Sequence, residues 1–541
     1  MKRIGIAPLV VLLAAGAALA QPPAERPEKS GLVRHAEGAF EGYTLFAPLR
    51  STHTYLIDMK GQVVHEWESD APPGNSVYLL ENGHLLRTAS VRDNPTFRGG
   101  GMGGRIQEID WDGTVLWDYV YSTESHLHHH DVERLPSGNV LLVAWERKSA
   151  EEAIEAGRDP SLVREGGELW PDHVVEVKPT GRTTGEIVWA WHAWDHLVQD
   201  RDPKKKNYGA VSEHPELIDI NGDQGRGRMS EEERRRLEAL GYVRGGGAER
   251  RRGEHRGPGG HDWTHINSID YHPELDQIAL SVHTFNEIWV IDHGTTTAEA
   301  AGHTGGRHGR GGDLLYRWGN PEAWGRGSAE DRRLFRQHDA RWIDAGLPGA
   351  GHFLLFNNGS HGEGRAWSSV DEIAPPVDAE GRYRLVEGEA YGPEGPTWTY
   401  AAEERTEFYS SHISGADRLP NGNTLVCEGE TGRLFEVTRE GRIVWEYVSP
   451  HEGNVGPPPP MMGGLRLPGD LPDGRRRPAG PPPRFGERRG GRRGLGPGPG
   501  GGGGGIFRAE RYAPDYPGLA RLREAKPAVE AGRGVRPAPQ R

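Results

Sequence analysis

The 541-residue chain has a single cysteine, Cys427. An intrachain disulfide is therefore excluded even in a compartment that would permit one. Stability has to come from a buried core, which a domain of about 400 residues can supply. A positive charge excess is missing too: 65 Lys and Arg stand against 78 Asp and Glu, a formal net charge of −13. That leaves no footprint for nucleic acid, and the Arg-rich stretches sit in Gly/Pro-rich segments that read as solvated loops. Long apolar runs are absent beyond residues 4–18, and that run is too short to span a bilayer. It follows the basic Met1-Lys2-Arg3 and precedes the small-x-small Ala18-Leu19-Ala20, the pattern of a signal peptide over residues 1–20 cleaved near Gln21. No cysteine follows to carry a lipid anchor. The expected product is exported, periplasmic or secreted, with no membrane span.

What the chain does have is an internal repeat. A turn Gly followed by β-branched and aromatic residues of period two recurs six times: GQVVHEW (61–67), GTVLWDY (113–119), GEIVWAW (185–191), GDLLYRW (312–318), a degenerate GPTWTY (395–400) and GRIVWEY (441–447). Hairpin turns LENGH, LPSGN and LPNGN follow the first, second and fifth of these, flanked by apolar residues. Six units of short antiparallel strand predict an all-β chain, a six-bladed β-propeller over residues 37–450. The tryptophans read as packing between blades. Tyr43-Thr44-Leu45-Phe46, in the first unit, is expected to pair with the last unit and close the ring.

Other segments fall outside the repeat. Residues 21–36 read as a flexible N-terminal segment. Residues 230–242 read as one short inserted helix, with a capping box from Ser230 to Glu233 and a stop at Gly241. Residues 245–260 and 302–312 are Gly/Arg/His-rich insertions expected to be mobile. Asp219-Ile-Asn-Gly-Asp223 lacks the Gly and Glu that a calcium loop needs. Residues 451–505 are a Pro/Gly-rich, disordered linker, and the tail 506–541 regains aromatic residues that could dock on the propeller.

Histidines recur within the repeat. His128 opens HHHDVERLPSGN, His265 lies in DWTHINSID, His338 in RQHDARWI and His412 in SSHISGADRLPNGN. Alignment on LPxGN places His128 over His412. The Asp five residues on aligns His265 with His412, and His338 shares a register with His130. A repeat that returns one imidazole to the same place gathers the rings at a propeller axis, where they can serve as metal ligands, general acid–base groups or a nucleophile. Arg365, in a Gly-flanked loop after FNNG, offers a guanidinium fork suited to a tetrahedral oxyanion.

Together these segments resemble the bacterial arylsulfate sulfotransferase family over residues 42–450, in GYTLFAPLRSTHTYLIDMKGQVVHEW, HHHDVERLPSGN, DWTHINSIDYHPELDQIALSVHTFNEIWVIDH, QHDARW, FNNG…GR and SSHISGADRLPNGNTLVCEG. The resemblance implies a six-bladed propeller and sulfuryl transfer from an aryl sulfate to a phenol, ping-pong through a sulfohistidine, independent of the nucleotide sulfate donor and without a cofactor or metal. It makes His412 the nucleophile, has His265 and His338 hold sulfate oxygens or move the phenol proton, and has Arg365 neutralise the oxyanion. Beside these, Asn358, His128 and His130 are read as candidate substrate-binding positions, the two histidines lining the channel without a part in the transfer itself. The chain departs from some relatives in leaving no room for a full N-terminal β-domain and in lacking the cysteine for a disulfide near the site. Two other readings stand beside it: a non-catalytic ligand- or partner-binding propeller, and a four-histidine metal site with Asp131, Asp270, Asp339 and Asp417 orienting the rings.

Overall fold

Each Gly-led aromatic phrase forms the fourth strand of an antiparallel blade. The computed structural model describes residues 30–91, 93–163, 167–223, 261–360, 364–451 and 505–524. Six sheets account for the repeat. Blade 2 runs Pro73–Leu79, Leu85–Ser90, Gly104–Ile109, Val115–Val120. Blade 3 is His126–Arg134, Val140–Glu146, Asp172–Gly181, Thr184–His192. Blade 4 is Ile266–His272, Gln277–Val282, Glu287–Asp292, Tyr316–Trp318. Blade 5 is His338–Trp342, Phe353–Asn357, Ser369–Ile373, Trp398–Tyr400. Blade 6 is Gly415–Arg418, Thr424–Glu428, Arg433–Val437, Ile443–Val448. The first strands touch one another in blade order and make the axis.

The tryptophans of the phrases clasp neighbouring blades. Trp67 donates its indole N–H to the Asp110 carbonyl of blade 2 at 3.1 Å, and Trp117 to Thr184 of blade 3 at 3.1 Å. Trp191 reaches Gly312 at 2.7 Å, Trp318 reaches Pro393 at 2.7 Å and Trp398 reaches Arg439 at 2.8 Å. Trp445 closes the circle on Met59 of blade 1 at 2.9 Å. A large apolar ring with one donor suits this position, since the donor satisfies a turn carbonyl while the ring fills the wedge between sheets.

Ring closure differs from the expectation. Tyr43–Pro48 does not pair with the last unit; it pairs with Ile506–Tyr512, which becomes the innermost strand of blade 1, ahead of His53–Ile57 and Val63–Glu68. Gly31–His35, within the segment read as flexible, adds a fifth strand to blade 6 through Ile443–Val448. The physical reason is edge satisfaction: both terminal segments supply backbone partners to strands that would otherwise be open edges. The insertion at 302–312 is folded, closed by Gly311 N–H to Gly305 O at 3.0 Å and by Gly312 N–H to Gly302 O at 3.0 Å. Asp223, in the rejected calcium loop, instead grips Arg158 at 2.5 and 2.7 Å. The signal peptide, the helix expected at 230–242, the 245–260 insertion and the low-complexity run up to residue 504 lie outside the described residues. Among the described residues two short capped helices, Ala150–Glu155 and Thr297–Ala300, stand between strands.

The C-terminal strand also carries charge to the axis. Arg508 Nη1 donates to Asp131 of blade 3 at 2.9 Å, and its Nε lies 2.9 Å from Asp339 of blade 5. Tyr78 of blade 2 donates to Asp131 at 2.7 Å and accepts from Arg508. Asp131 in turn accepts Ile269 N–H of blade 4 at 3.2 Å, and Asp339 accepts Ala416 N–H of blade 6 at 2.9 Å. Burial works against the Arg508 charge, but the two carboxylates outweigh it and hold the guanidinium above its ordinary value. Replacing Arg508 by Met strips buried Asp131 of its guanidinium partner and leaves Asp339 with Arg341 alone, at 2.8 Å. It is expected to cost about 3–5 kcal/mol in urea unfolding, while Arg521→Ala, at an exposed pair, should stay within about 0.5 kcal/mol.

Candidate active site

The axis strands begin with irregular backbone. His130, His265 and Ile413 have φ of 57°, 51° and 49°. For a β-branched residue such as Ile413 this is a strained conformation, of the kind that persists where surrounding structure over-determines it. In blade 3 the irregularity is a bulge: between Leu142 and Ala144 the partner strand advances from Val132 to His128, four residues against two.

That bulge corrects one alignment. His128, placed over His412 by the sequence, is fully buried away from the axial rings, its Nδ1 accepting Gly104 N–H at 3.1 Å. His130 is the ring of blade 3 that turns inward. His130 and His265 centroids are 4.6 Å apart, His265 and His283 4.8 Å, and His283 and His338 5.2 Å. Phe507, from the C-terminal strand, lies 5.9 Å from His130 and 6.4 Å from His338.

Each axial histidine is oriented by a partner. His265 Nδ1 bonds Asp262, which also accepts Trp145 Nε1 at 3.0 Å. The backbone beside it is held by Asp172, which accepts Ile266 N–H at 2.6 Å and bonds His129 Nε2 at 2.8 Å. His338 donates from Nδ1 to Asn358 Oδ1 at 2.9 Å and accepts Ile413 N–H on Nε2 at 3.2 Å. Asn358 spends its amide protons on the Ser410 and Ile413 carbonyls at 2.8 and 2.9 Å, so both ends of its side chain serve the His412 turn. His412 Nδ1 lies 2.7 Å from Glu430 and 2.9 Å from Ser411 Oγ, which itself donates to Glu430 at 2.5 Å. Arg365 sits against the Trp367 ring at 3.8 Å and donates to Ser369 at 2.6 Å, with burial lowering its pKa to about 10.

Exposure divides the set. His412 and His265 keep 6 % and Arg365 8 %, whereas His338, His130, His128 and Asn358 keep none. Only the first three keep any exposed surface, and the His412 Nε2 atom itself is buried in this conformation. Three partners escape sequence reading: Asp262, His283 and Glu430. His283 follows His265 by 18 residues and Glu430 follows His412 by 18, each just past the second strand of its blade, where Asn358 sits in blade 5. That recurring position is the signal that could have found His283 and Glu430.

The carboxylates proposed to orient a metal site do other work. Asp131 and Asp339 bind Arg508, and Asp270 accepts Trp342 N–H at 2.6 Å. Among the described residues, His128, His265, His338 and His412 do not gather their ring nitrogens as one ligand set.

The fold and site define a β-propeller with buried, mutually oriented histidines and the Arg508 guanidinium at its axis, and with Arg365 held against Trp367 and Ser369 of blade 5. The family model for Arylsulfotransferase (ASST) matches residues 44–447, and the chain belongs to that family. Membership implies arylsulfotransferase activity, with aryl sulfates and phenols as substrates. No curated protein matches the chain. Solved structures similar to it include a protein of unknown function from Bacteroides caccae, at 13% identity and a TM-score of 0.35, covering 75% of this chain and 93% of that one. A streptogramin B lyase matches at 9% identity and a TM-score of 0.33, covering 80% and 86%. A virginiamycin B lyase from Staphylococcus aureus matches at 8% and 0.32, covering 79% and 90%. Likenesses this low carry nothing about site or activity.

Burial pushes the pKa of His128, His129 and His338 down to about 3, and His130 well below its ordinary value. A depressed folded pKa means that their contribution to stability is fully present above about pH 6.5 and is lost as the pH falls toward 3. In 15N-histidine NMR spectra these four rings are expected to stay neutral from pH 8 to pH 5, while a solvent-exposed histidine titrates near 6.5.

Proposed function

We propose that this chain is an exported enzyme that moves a sulfuryl group from an aryl sulfate to a phenol by a ping-pong route through His412, without the nucleotide sulfate donor. The observation that carries the mechanism is the Glu430 carboxylate at 2.7 Å from His412 Nδ1. It fixes the Nδ1–H tautomer and places the lone pair on Nε2. That lone pair attacks sulfur, an N–S bond forms, and the aryl S–O bond breaks with both electrons going to the departing phenolate. The ring then carries positive charge, which Glu430 offsets. The phenol oxygen of the acceptor reverses the sequence, forming a new S–O bond and restoring neutral His412.

A phenolate of pKa about 10 leaves poorly without a proton or a stabilising cation. His265 suits the proton transfer: Asp262 holds its Nδ1, leaving Nε2 to donate and later accept. His338 suits positioning instead, because its Nε2 already receives Ile413 N–H and thereby sets the backbone of the nucleophile. Arg365, partly exposed and stacked on Trp367, supplies fixed positive charge for the sulfuryl oxygens as charge develops on them.

The test is release of 4-nitrophenol from 4-nitrophenyl sulfate, with and without phenol, in EDTA. Wild type should show acceptor-dependent turnover and, without acceptor, a burst equal to the enzyme present, with one SO3 group on the His412 peptide. His412→Ala should show neither, and Glu430→Gln should lower kcat by about 100-fold. Full turnover in His412→Ala would overturn the nucleophile assignment.

A further inference from the structure

Away from the axis, two histidines and an aspartate converge between blades 3 and 4. His196 ends the turn after the outermost strand of blade 3. His303 and Asp313 flank the Gly-rich insertion that leads to the outermost strand of blade 4. Asp313 Oδ1 lies 2.8 Å from His196 Nδ1 and 2.7 Å from His303 Nδ1. One ligand atom from each residue falls within 4.8 Å of the others.

The proton count at this point is unusual. His196 Nε2 lies 2.9 Å from the Ala300 carbonyl, which can only accept, so Nε2 bears the proton. A neutral His196 ring then turns its Nδ1 lone pair toward a carboxylate oxygen. Two lone pairs at 2.8 Å repel unless a proton or a cation lies between them. His196 cannot swing away. Its ring is parallel to Trp191 at 5.7 Å, and Gly312 backs it so closely that a Cβ there would fall 2.7 Å from Nε2 and 2.0 Å from Ala300 O. His303 is different: its side chain is 58% exposed and opens the cluster to solvent.

We propose that His196 Nδ1, His303 Nδ1 and Asp313 Oδ1 form a peripheral divalent-cation site that accepts zinc and pins the blade 4 insertion to the exit of blade 3. Two imidazoles and one carboxylate are a borderline donor set suited to Zn2+, with water completing four-coordination on the exposed side. The Ala300 carbonyl already holds the His196 Nε2 proton and so fixes the tautomer that leaves Nδ1 as the ligand atom. A tetrahedral ion with bonds of about 2.0–2.1 Å needs its donors about 3.3 Å apart, so the two contacts must open by about half an ångström. His303, on its exposed loop, opens its own contact, and a small shift of the Asp313 carboxylate opens the one to His196.

The experiment uses the full chain stripped with chelator, titrated with Co2+ and read by visible ligand-field absorption, then with Zn2+ by calorimetry. Support is one equivalent bound with a tetrahedral cobalt spectrum and a raised melting temperature. Binding should fall at least 100-fold in His303→Ala, an exposed change that leaves the core untouched, and in Asp313→Asn, and should persist in His412→Ala. Absence of binding, or binding that survives His303→Ala, would overturn the proposal. The cluster would then be a protonated His–Asp–His chain, or the metal would sit among the axial histidines.

Discussion

The architecture depends on one buried cation. Arg508 arrives on the last described strand of the chain and lies between Asp131 and Asp339, carboxylates that bind backbone N–H groups of blades 4 and 6. Arg341 extends the same network to Glu510, on the same strand as Arg508, at 2.8 Å. Through these contacts the strand that completes blade 1 touches blades 2, 3 and 5 directly and fixes the acceptors for blades 4 and 6. Taking these charges out of water costs several kcal/mol for each ion, and mutual attraction offsets that only when every partner is present. The ring is therefore cooperative at its centre. The same strand carries Phe507, so docking of the tail sets both the charge balance and the aromatic wall beside the histidines.

Neutrality is the second constraint, and it follows from the first. Rings at successive centroid separations of 4.6, 4.8 and 5.2 Å cannot all be protonated, and burial keeps His130 and His338 uncharged. The fixed positive charge at the axis is left to guanidinium groups, while His265, paired with Asp262, carries the proton that passes to the phenolate. This division suits sulfuryl transfer. The reaction needs imidazole nitrogens that carry lone pairs and cations that never lose a proton, and it obtains the two from different residue types.

The six-fold repeat was legible because each phrase spells a turn, an alternating strand and a tryptophan, and those are local properties. Closure was not legible. Ile506–Tyr512 pairs with Tyr43–Pro48 across more than 400 residues of chain, and no local pattern announces such pairing. Of the axial residues, His265, His338 and His412 stood out because the imidazole recurs. The register of His128 over His412 did not carry into space, because alignment on the downstream turn cannot count residues absorbed by a bulge. Asp262, by contrast, is three residues from His265 and belongs to no repeat position, so only the fold reveals it.

The link from His338 to Ile413 gives the blades a chemical role beyond support. Ile413 holds a backbone conformation that a β-branched residue avoids, and Asn358 and His338, both from blade 5, supply its restraints. His412, in the turn before the first strand of blade 6, is thus aimed by its neighbour, and Glu430 then fixes the ring from within blade 6. Two restraints from different sheets determine both the backbone and the tautomer of one imidazole. A shift between blades 5 and 6 would misplace His412 even with every side chain intact. This ties the fidelity of the site to the Trp398 clasp and to Asp339, the contacts that hold those two blades together.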